Sequence, residues 1–256
     1  MVYISNFNLS LLNNLQTMET TFHAANSRGY ANHGWLEARH SFSFASWYNP
    51  DKIHFGVLRV LNDDLVAGKM GFNTHPHDNM EIITIPLKGE LSHKDSMGNA
   101  STITAGEIQV MSAGTGIQHS EFNTGKDTLN LLQIWIFPNK RNVTPRYDQQ
   151  LLDEKAMNNA FAQVLSPNPD DSGVWIHQDA WFHLGKFTET SKQSYTIKKK
   201  GNGAYIFVIE GTVRVGEQLL NKRDALGVWD TEQLDLDVEP NSHVLIMDIP
   251  MDLVQQ

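Results

Sequence analysis

The stretch Phe72–Glu90, FNTHPHDNMEIITIPLKGE, sets two imidazoles one residue apart at the start of an apolar strand. In an extended chain residues i and i+2 share a face, so His75 and His77 can enter one interior together. Pro76 between them offers no backbone donor, which suits an edge or bulged strand. Eleven histidines in 256 residues yield roughly half an accidental His-x-His, so this pair decides nothing alone. Its weight comes from a second pair 42 positions after His77: His119-Ser120-Glu121, within MSAGTGIQHSEFN. That pair has the same spacing and the same capacity to share a face.

Working outward, HFGVLRVLND, MEIITIPLKGE, STITAGEIQVMSAG and LNLLQIWIFP are short runs rich in Ile, Val, Leu and Phe. Gly, Asn, Asp or Pro bounds most of them, and Asp95-Ser96-Met97-Gly98-Asn99 reads as a hairpin turn. Strands at this spacing imply an all-β sandwich or barrel rather than βαβ units. The rhythm of IITIPLKGELSHKDSMGNASTITAGEIQVMS returns in YIFVIEGTVRVGEQLLNKRDALGVWD, which carries no His-x-His. Two copies of one barrel module are therefore expected, one bearing the histidine pairs. Residues 1–24 read as an N-terminal extension with little strand signal, and Met18 as a second start site. A first domain is expected over 25–144, a connector over 145–172 and a second domain over 173–256. PRYDQQLLDEKAMNNAFAQVL (Pro145–Leu165) has helix formers and no Gly, so the connector is expected to be helical or irregular.

Two face-sharing pairs on facing strands would gather three imidazole nitrogens and one carboxylate oxygen around a point. Such a donor set suits divalent iron, nickel, copper, manganese or zinc and is too nitrogen-rich for calcium or magnesium. Buried singly these groups are costly, and one cation satisfies them together.

Composition narrows the rest. The chain has no cysteine, which excludes disulfides, thiolate nucleophiles and iron–sulfur clusters. Its formal net charge of -9 argues against direct nucleic-acid binding, and Lys198-Lys199-Lys200 before Gly201 reads as a solvated hairpin end. No run reaches the roughly 18 to 20 apolar residues of a membrane span. No Lys or Arg precedes Arg28, so a secretory leader is not expected and a cytoplasmic location is.

GFNTHPHDNMEIITIPLKGELSHKDSMGNA followed by AGEIQVMSAGTGIQHSEFN resembles the pirin family of the cupin superfamily. The upstream YANHGWLEARHSFSFASWYNP and downstream LLQIWIFP and TPRYDQQ share the likeness, which is closest to bacterial members described as quercetin 2,3-dioxygenases. The resemblance implies a bicupin, two jelly-roll barrels with the metal in the N-terminal one. It implies His75, His77, His119 and Glu121 as ligands of one divalent ion, iron foremost. Glu81 falls where the general cupin pattern has a metal-binding glutamate. Because pirin-like chains use the Glu after the third His, Glu81 becomes a candidate to orient a ligand. The implied reaction is cleavage of a flavonol ring by dioxygen, with Glu121 or Glu81 taking the hydroxyl proton. The alternative is a metal-dependent regulator that binds a protein partner. His23, His33, His40, His54, His93, His177, His183 and His243 lack paired partners and read as surface or singly hydrogen-bonded residues. Of these, His40 within ARHSFSF is the one whose proximity to the pocket is to be checked. Phe42, Phe44, Trp47 and Trp135 could wall a flat substrate or simply fill the core.

Overall fold

The computed structural model describes residues 18–253. Short runs with β-branched and aromatic residues become strands almost throughout. The chain begins with β1 (Glu19–His23), a single 3-10 turn at Ala25–Ser27, β2 (Gly29–Asn32), β3 (Leu36–His40) and β4 (Leu58–Val66). There follow β5 (Gly71–His77), β6 (Glu81–Lys88), β7 (Glu90–Asp95) and β8 (Ala100–Thr104). Next come β9 (Glu107–Ser112), β10 (Ile117–Phe122), β11 (Leu129–Ile136) and β12 (Arg146–Leu151). The second half runs β13 (Ala162–Ser166), β14 (Val174–Trp175), β15 (Trp181–Phe187), β16 (Ser191–Thr196) and β17 (Asn202–Glu210). It closes with β18 (Thr212–Val215), β19 (Gln218–Asn221), β20 (Ala225–Trp229), β21 (Gln233–Val238) and β22 (Ser242–Pro250).

The strands build two similar units. In the first, a seven-stranded sheet ordered β12-β9-β6-β11-β4-β3-β2 packs on a four-stranded sheet ordered β5-β10-β7-β8. In the second, β1-β20-β17-β22-β15-β13-β14 packs on β16-β21-β18-β19. The inner strands match in order, β9-β6-β11-β4 with β20-β17-β22-β15 and β5-β10-β7-β8 with β16-β21-β18-β19, which is the repeat heard in the sequence. Gly89 after β6 and Gly211 after β17, with φ of +87° and +81°, mark the same left-handed turn in each copy.

Two expectations need correction. Residues 19–23, read as part of a weakly structured extension, form β1, which pairs along β20 from Glu19↔Trp229 to His23↔Ala225. The alternating register against a ready sheet edge supplies the strand that local propensity did not advertise. Positions 1–17 lie outside the described residues. The connector holds no helix: β12 joins the first sheet through β9, and β13 joins the second through β15. Open sheet edges on both sides draw its two ends into pairing and leave only the intervening stretch irregular. The matching edges are thus filled reciprocally, by the start of the chain in the second sheet and by the middle of the chain in the first.

Alternation along β6 sets what faces what. Ile83 and Ile85 join a core shared between the barrels with Phe182, Leu184, Tyr205 and Phe207. Ile82 points the other way, into the first barrel, beside Met111, Ala113 and Ile117. Each large side chain buried at that shared core contributes roughly 1.5–3 kcal/mol, so the barrels stabilise one another. No helix among the described residues is long and apolar enough to cross a membrane.

Candidate metal centre

The centre is built on the four-stranded sheet of the first barrel, where β10 lies between β5 and β7. His119 stands opposite His75 on β5 and opposite Asp95 on β7; Glu121 stands opposite His93. Directly opposed residues share a face, so this register collects side chains from three strands. β5 is an edge strand, and its pairing with β10 shifts between His119 and Glu121 as a bulge. The edge position tolerates Pro76, which has no N–H to give and pairs in register with Gln118. Gly71 keeps the strands close, since a Cβ there would lie 2.2 Å from the Glu121 carbonyl oxygen.

The sequence-predicted set comes together as two overlapping trios. Donor atoms of His75, His77 and His119 lie within 4.8 Å of one another, and so do those of His93, His119 and Glu121. The three outer rings have centroids 4.4 to 4.9 Å apart. Glu121 joins the set through His119 and His93 instead of through His75 and His77. His75 Nδ1 lies 2.8 Å from the Asn73 carbonyl, to which it donates, which leaves Nε2 for a ligand. Burial, then the neighbouring His75, lowers the His77 pKa to about 4. Burial followed by the surrounding imidazoles lowers that of His119 further still. The His77 and His119 rings are therefore neutral near pH 7, the form that binds cations.

Whether these residues suit a transition ion is tested by their unmet bonds. Both ring nitrogens of His119, Nδ1 of His93 and Oε1 of Glu121 are buried without a hydrogen-bond partner. Leaving such a group unpaired costs about 1–3 kcal/mol each, and a cation among them removes several penalties at once. The donor set fits.

Behind the trios the barrel floor is polar. Gln109, Thr84, Gln133, Asn62 and His40 stand in one row across β9, β6, β11, β4 and β3. The Thr84 hydroxyl donates to Gln133 Oε1 at 2.9 Å, which aims the Gln133 amide nitrogen at Glu121 Oε2, 3.1 Å away. Burial pushes the Glu121 carboxyl up to about 7, with the Gln133 bond opposing it. Burial, then Asp63 and Glu121, pushes Asp64 up to about 8.

A cleft of about 880 Å³ opens onto two members of the outer trio. His75 and His77 form part of its wall with Met80, Ile117 and Trp135. The Trp135 ring stands edge-on to His77 at 4.9 Å, and Phe44 packs edge-on against Trp135 at 5.4 Å. His40 contacts Phe44 and hydrogen-bonds Asn62, so it supports the wall from behind. Phe42 belongs to the core between the barrels, and Trp47 covers Gly29.

Glu81 is placed elsewhere. It alternates with Ile82 and so faces the second barrel, where Ser112 Oγ donates to its Oε2 at 2.6 Å. The His177 backbone N–H donates to it as well. It orients none of the cluster histidines. His93 is the residue that sequence reading passed over. It is singly hydrogen-bonded, as expected, yet it belongs to the inner trio. His93-Lys94-Asp95 has the same i, i+2 spacing as the other two pairs, and that was the signal available.

Two jelly-roll barrels, the first with a histidine–carboxylate cluster beside a cleft, define a bicupin whose first barrel carries a candidate cation site. The Pirin profile matches residues 21–136, and the profile of the quercetinase C-terminal cupin domain matches residues 163–249. A protein of Escherichia coli K12 named quercetin 2,3-dioxygenase is 40% identical over 227 residues, covering 88% of this chain and 96% of its own. The crystal structure of YhhW from Escherichia coli superposes with a TM-score of 0.87 at 39% identity, over 91% of this chain and 99% of that one. The nickel(II) complex of the bacterial pirin YhhW gives 0.86 at 38% identity, over 91% and 100%. The chain belongs to the pirin family.

Proposed function

We propose that the protein is a metal-dependent oxygenase that opens a flavonol-type ring with dioxygen. The carrying observation is an imidazole trio of which His75 and His77 reach the wall of an open cleft beside Trp135, Ile117 and Met80, with His119 buried behind them. The relative named quercetin 2,3-dioxygenase supports the substrate class, and the nickel complex of YhhW supports a transition ion at this centre. His75, His77 and His119 would hold the ion, with Glu121 as the carboxylate beside the shared His119. Iron is the expected metal, and nickel, copper, manganese or zinc suit the same donors. When bound, the ion supplies Lewis-acid and redox chemistry at the cleft floor.

The protein's own groups do the rest. Trp135 offers an aromatic edge and Met80 and Ile117 an apolar surface to a flat ring. Glu121 is the carboxylate of the cluster; it does not line the cleft, so it would accept the substrate hydroxyl proton at its unpartnered Oε1 through a bridging water. Gln133, held by Thr84, fixes the other oxygen, so the proton is received at a defined place. Aerobic loss of quercetin absorbance by iron-loaded protein tests the proposal. Turnover that disappears in a His75→Ala/His119→Ala variant supports it. Wild-type protein that keeps its metal and leaves quercetin intact overturns it and favours the regulatory reading.

A further inference from the structure

We propose that His93 is a fourth imidazole of the centre and that His93, His119 and Glu121 form an inner cation station behind His75, His77 and His119. The inference rests on the reading of the cluster as a metal centre and says where within it the ion can go. The donor atoms of the inner trio lie within 4.8 Å of one another. His93, His119 and Glu121 are 0%, 1% and 2% exposed, so bulk water does not serve them. None of the three lines the cleft, whereas His75 and His77 do.

Hydrogen bonding prepares His93 for ligation. Its Nε2 lies 3.3 Å from Asp95 Oδ2 and donates to it, which leaves the lone pair on Nδ1. Asp95 is itself fixed by the turn Asp95–Asn99: its Oδ1 accepts from the Met97 and Asn99 backbone N–H groups, and its Oδ2 from Asn99 Nδ2 at 2.8 Å. A histidine that gives one N–H to an anchored carboxylate and keeps its other nitrogen buried and unpartnered is prepared to act as a metal ligand. His93 Nδ1 and Glu121 Oε1 are both buried and unpartnered. Packing explains only part of this. The Tyr147 ring lies 4.8 Å from the His93 ring, a contact that covers the imidazole face and leaves Nδ1 unmet. Nor does the architecture demand a polar residue here, since the buried residues of the matching strand β18 are Val213 and Val215. His119 joins both stations, so one ion can pass between them while remaining bound to His119.

Cobalt(II) titration, read by its visible bands and by metal content, tests this on the full chain. The wild-type protein and a His75→Ala/His77→Ala variant should each bind one ion, the variant about ten- to a hundredfold more weakly. Adding His93→Ala to that variant should abolish binding, with circular dichroism showing each variant folded. His93→Gln in the otherwise intact chain should lose cobalt to a chelator about tenfold faster or more. A double variant that binds no cobalt, a triple variant that binds as well as the double, or an unchanged release rate would each overturn the inner station while leaving the outer centre standing. A wild-type chain that binds no cobalt removes the metal-centre reading itself, and the inner station with it.

Discussion

Across β9, β6, β11 and β4 of the first barrel one row reads Gln109, Thr84, Gln133, Asn62; across β20, β17, β22 and β15 of the second the same row reads Leu226, Ile206, Ile246, His183. The alignment is fixed by Gly89 and Gly211, each five residues beyond the β6 or β17 member. The inward residues of β10 are Ile117, His119 and Glu121, whereas those of β21 are Leu234, Leu236 and Val238. The second barrel does keep a buried polar cluster, and there the bonds are closed. The Tyr195 hydroxyl lies 3.2 Å from His183 Nδ1 and 3.1 Å from Asp248 Oδ2, and Asp248 accepts from Asn202 and from the Lys198 N–H, each at 2.7 Å. One scaffold thus folds around an apolar interior with satisfied polar groups and around a polar interior with unsatisfied ones. The scaffold does not require the second kind, so the unmet groups of the first barrel are read as provision for a ligand.

The sharpest break is at the shared ligand. Loss of supporting partners alone costs metal sites 10–100-fold, so His119→Ala should weaken metal binding by more than about a hundredfold and abolish turnover. Tyr195→Phe, in the polar cluster of the second interior, should leave metal content at one ion per chain. Elemental analysis reads both, and a metal content that follows Tyr195 would erase the division of labour between the barrels.

A smaller effect separates the barrels by pH. Glu81 sits where the second copy has Gly203, and burial raises its pKa from 4.5 to about 7, against the Ser112 and His177 bonds and Arg146. A carboxyl whose folded pKa is raised binds more protons folded than unfolded, so its stabilisation is full below about pH 4.5 and is lost as pH rises through 7. The shift corresponds to something on the order of 3 kcal/mol. Glu81→Gln should flatten part of the fall in urea stability across that window, leaving the share of the slope that comes from Glu121 and Asp64. An unchanged slope would mean that Glu81 stays ionised in the fold.

How much of this could be read from the chain follows from what each feature depends on. Face-sharing pairs need only the two-residue period of a strand, so HPH and HSE were legible, and the Gly-bounded rhythm exposed the doubled barrel. β1 was not legible, because ETTFH becomes a strand only through the edge of β20, some two hundred residues away. The connector misled for the same reason: helix-forming residues in 145–165 yield to sheet edges that local propensity does not know about. The division of Glu121 from His75 and His77 depends on the register of three strands and a bulge, which no spacing rule supplies. Glu81 shows the converse hazard. The general cupin pattern made it a candidate to orient a ligand or take the proton, and strand alternation carries it to the opposite face.

The mildest expected effect probes the polar floor directly. Gln109 is fully buried, and neither its amide nitrogen nor its amide oxygen has a partner. Its counterpart in the second barrel is Leu226, of similar size, so Gln109→Leu grafts the solution of one interior onto the other. Removing an unpaired buried amide without changing volume should stabilise the metal-free protein by about 1–2 kcal/mol in urea denaturation. Metal content should stay at one ion per chain, because Gln109 belongs to neither trio. If turnover then falls while the metal is retained, the row acts on the reaction through Thr84 and Gln133, and the stability forgone at Gln109 is explained by function. If the variant is instead less stable than the parent, the amide has a bonding role in the first barrel, and the contrast between the two interiors narrows to the histidines and Glu121.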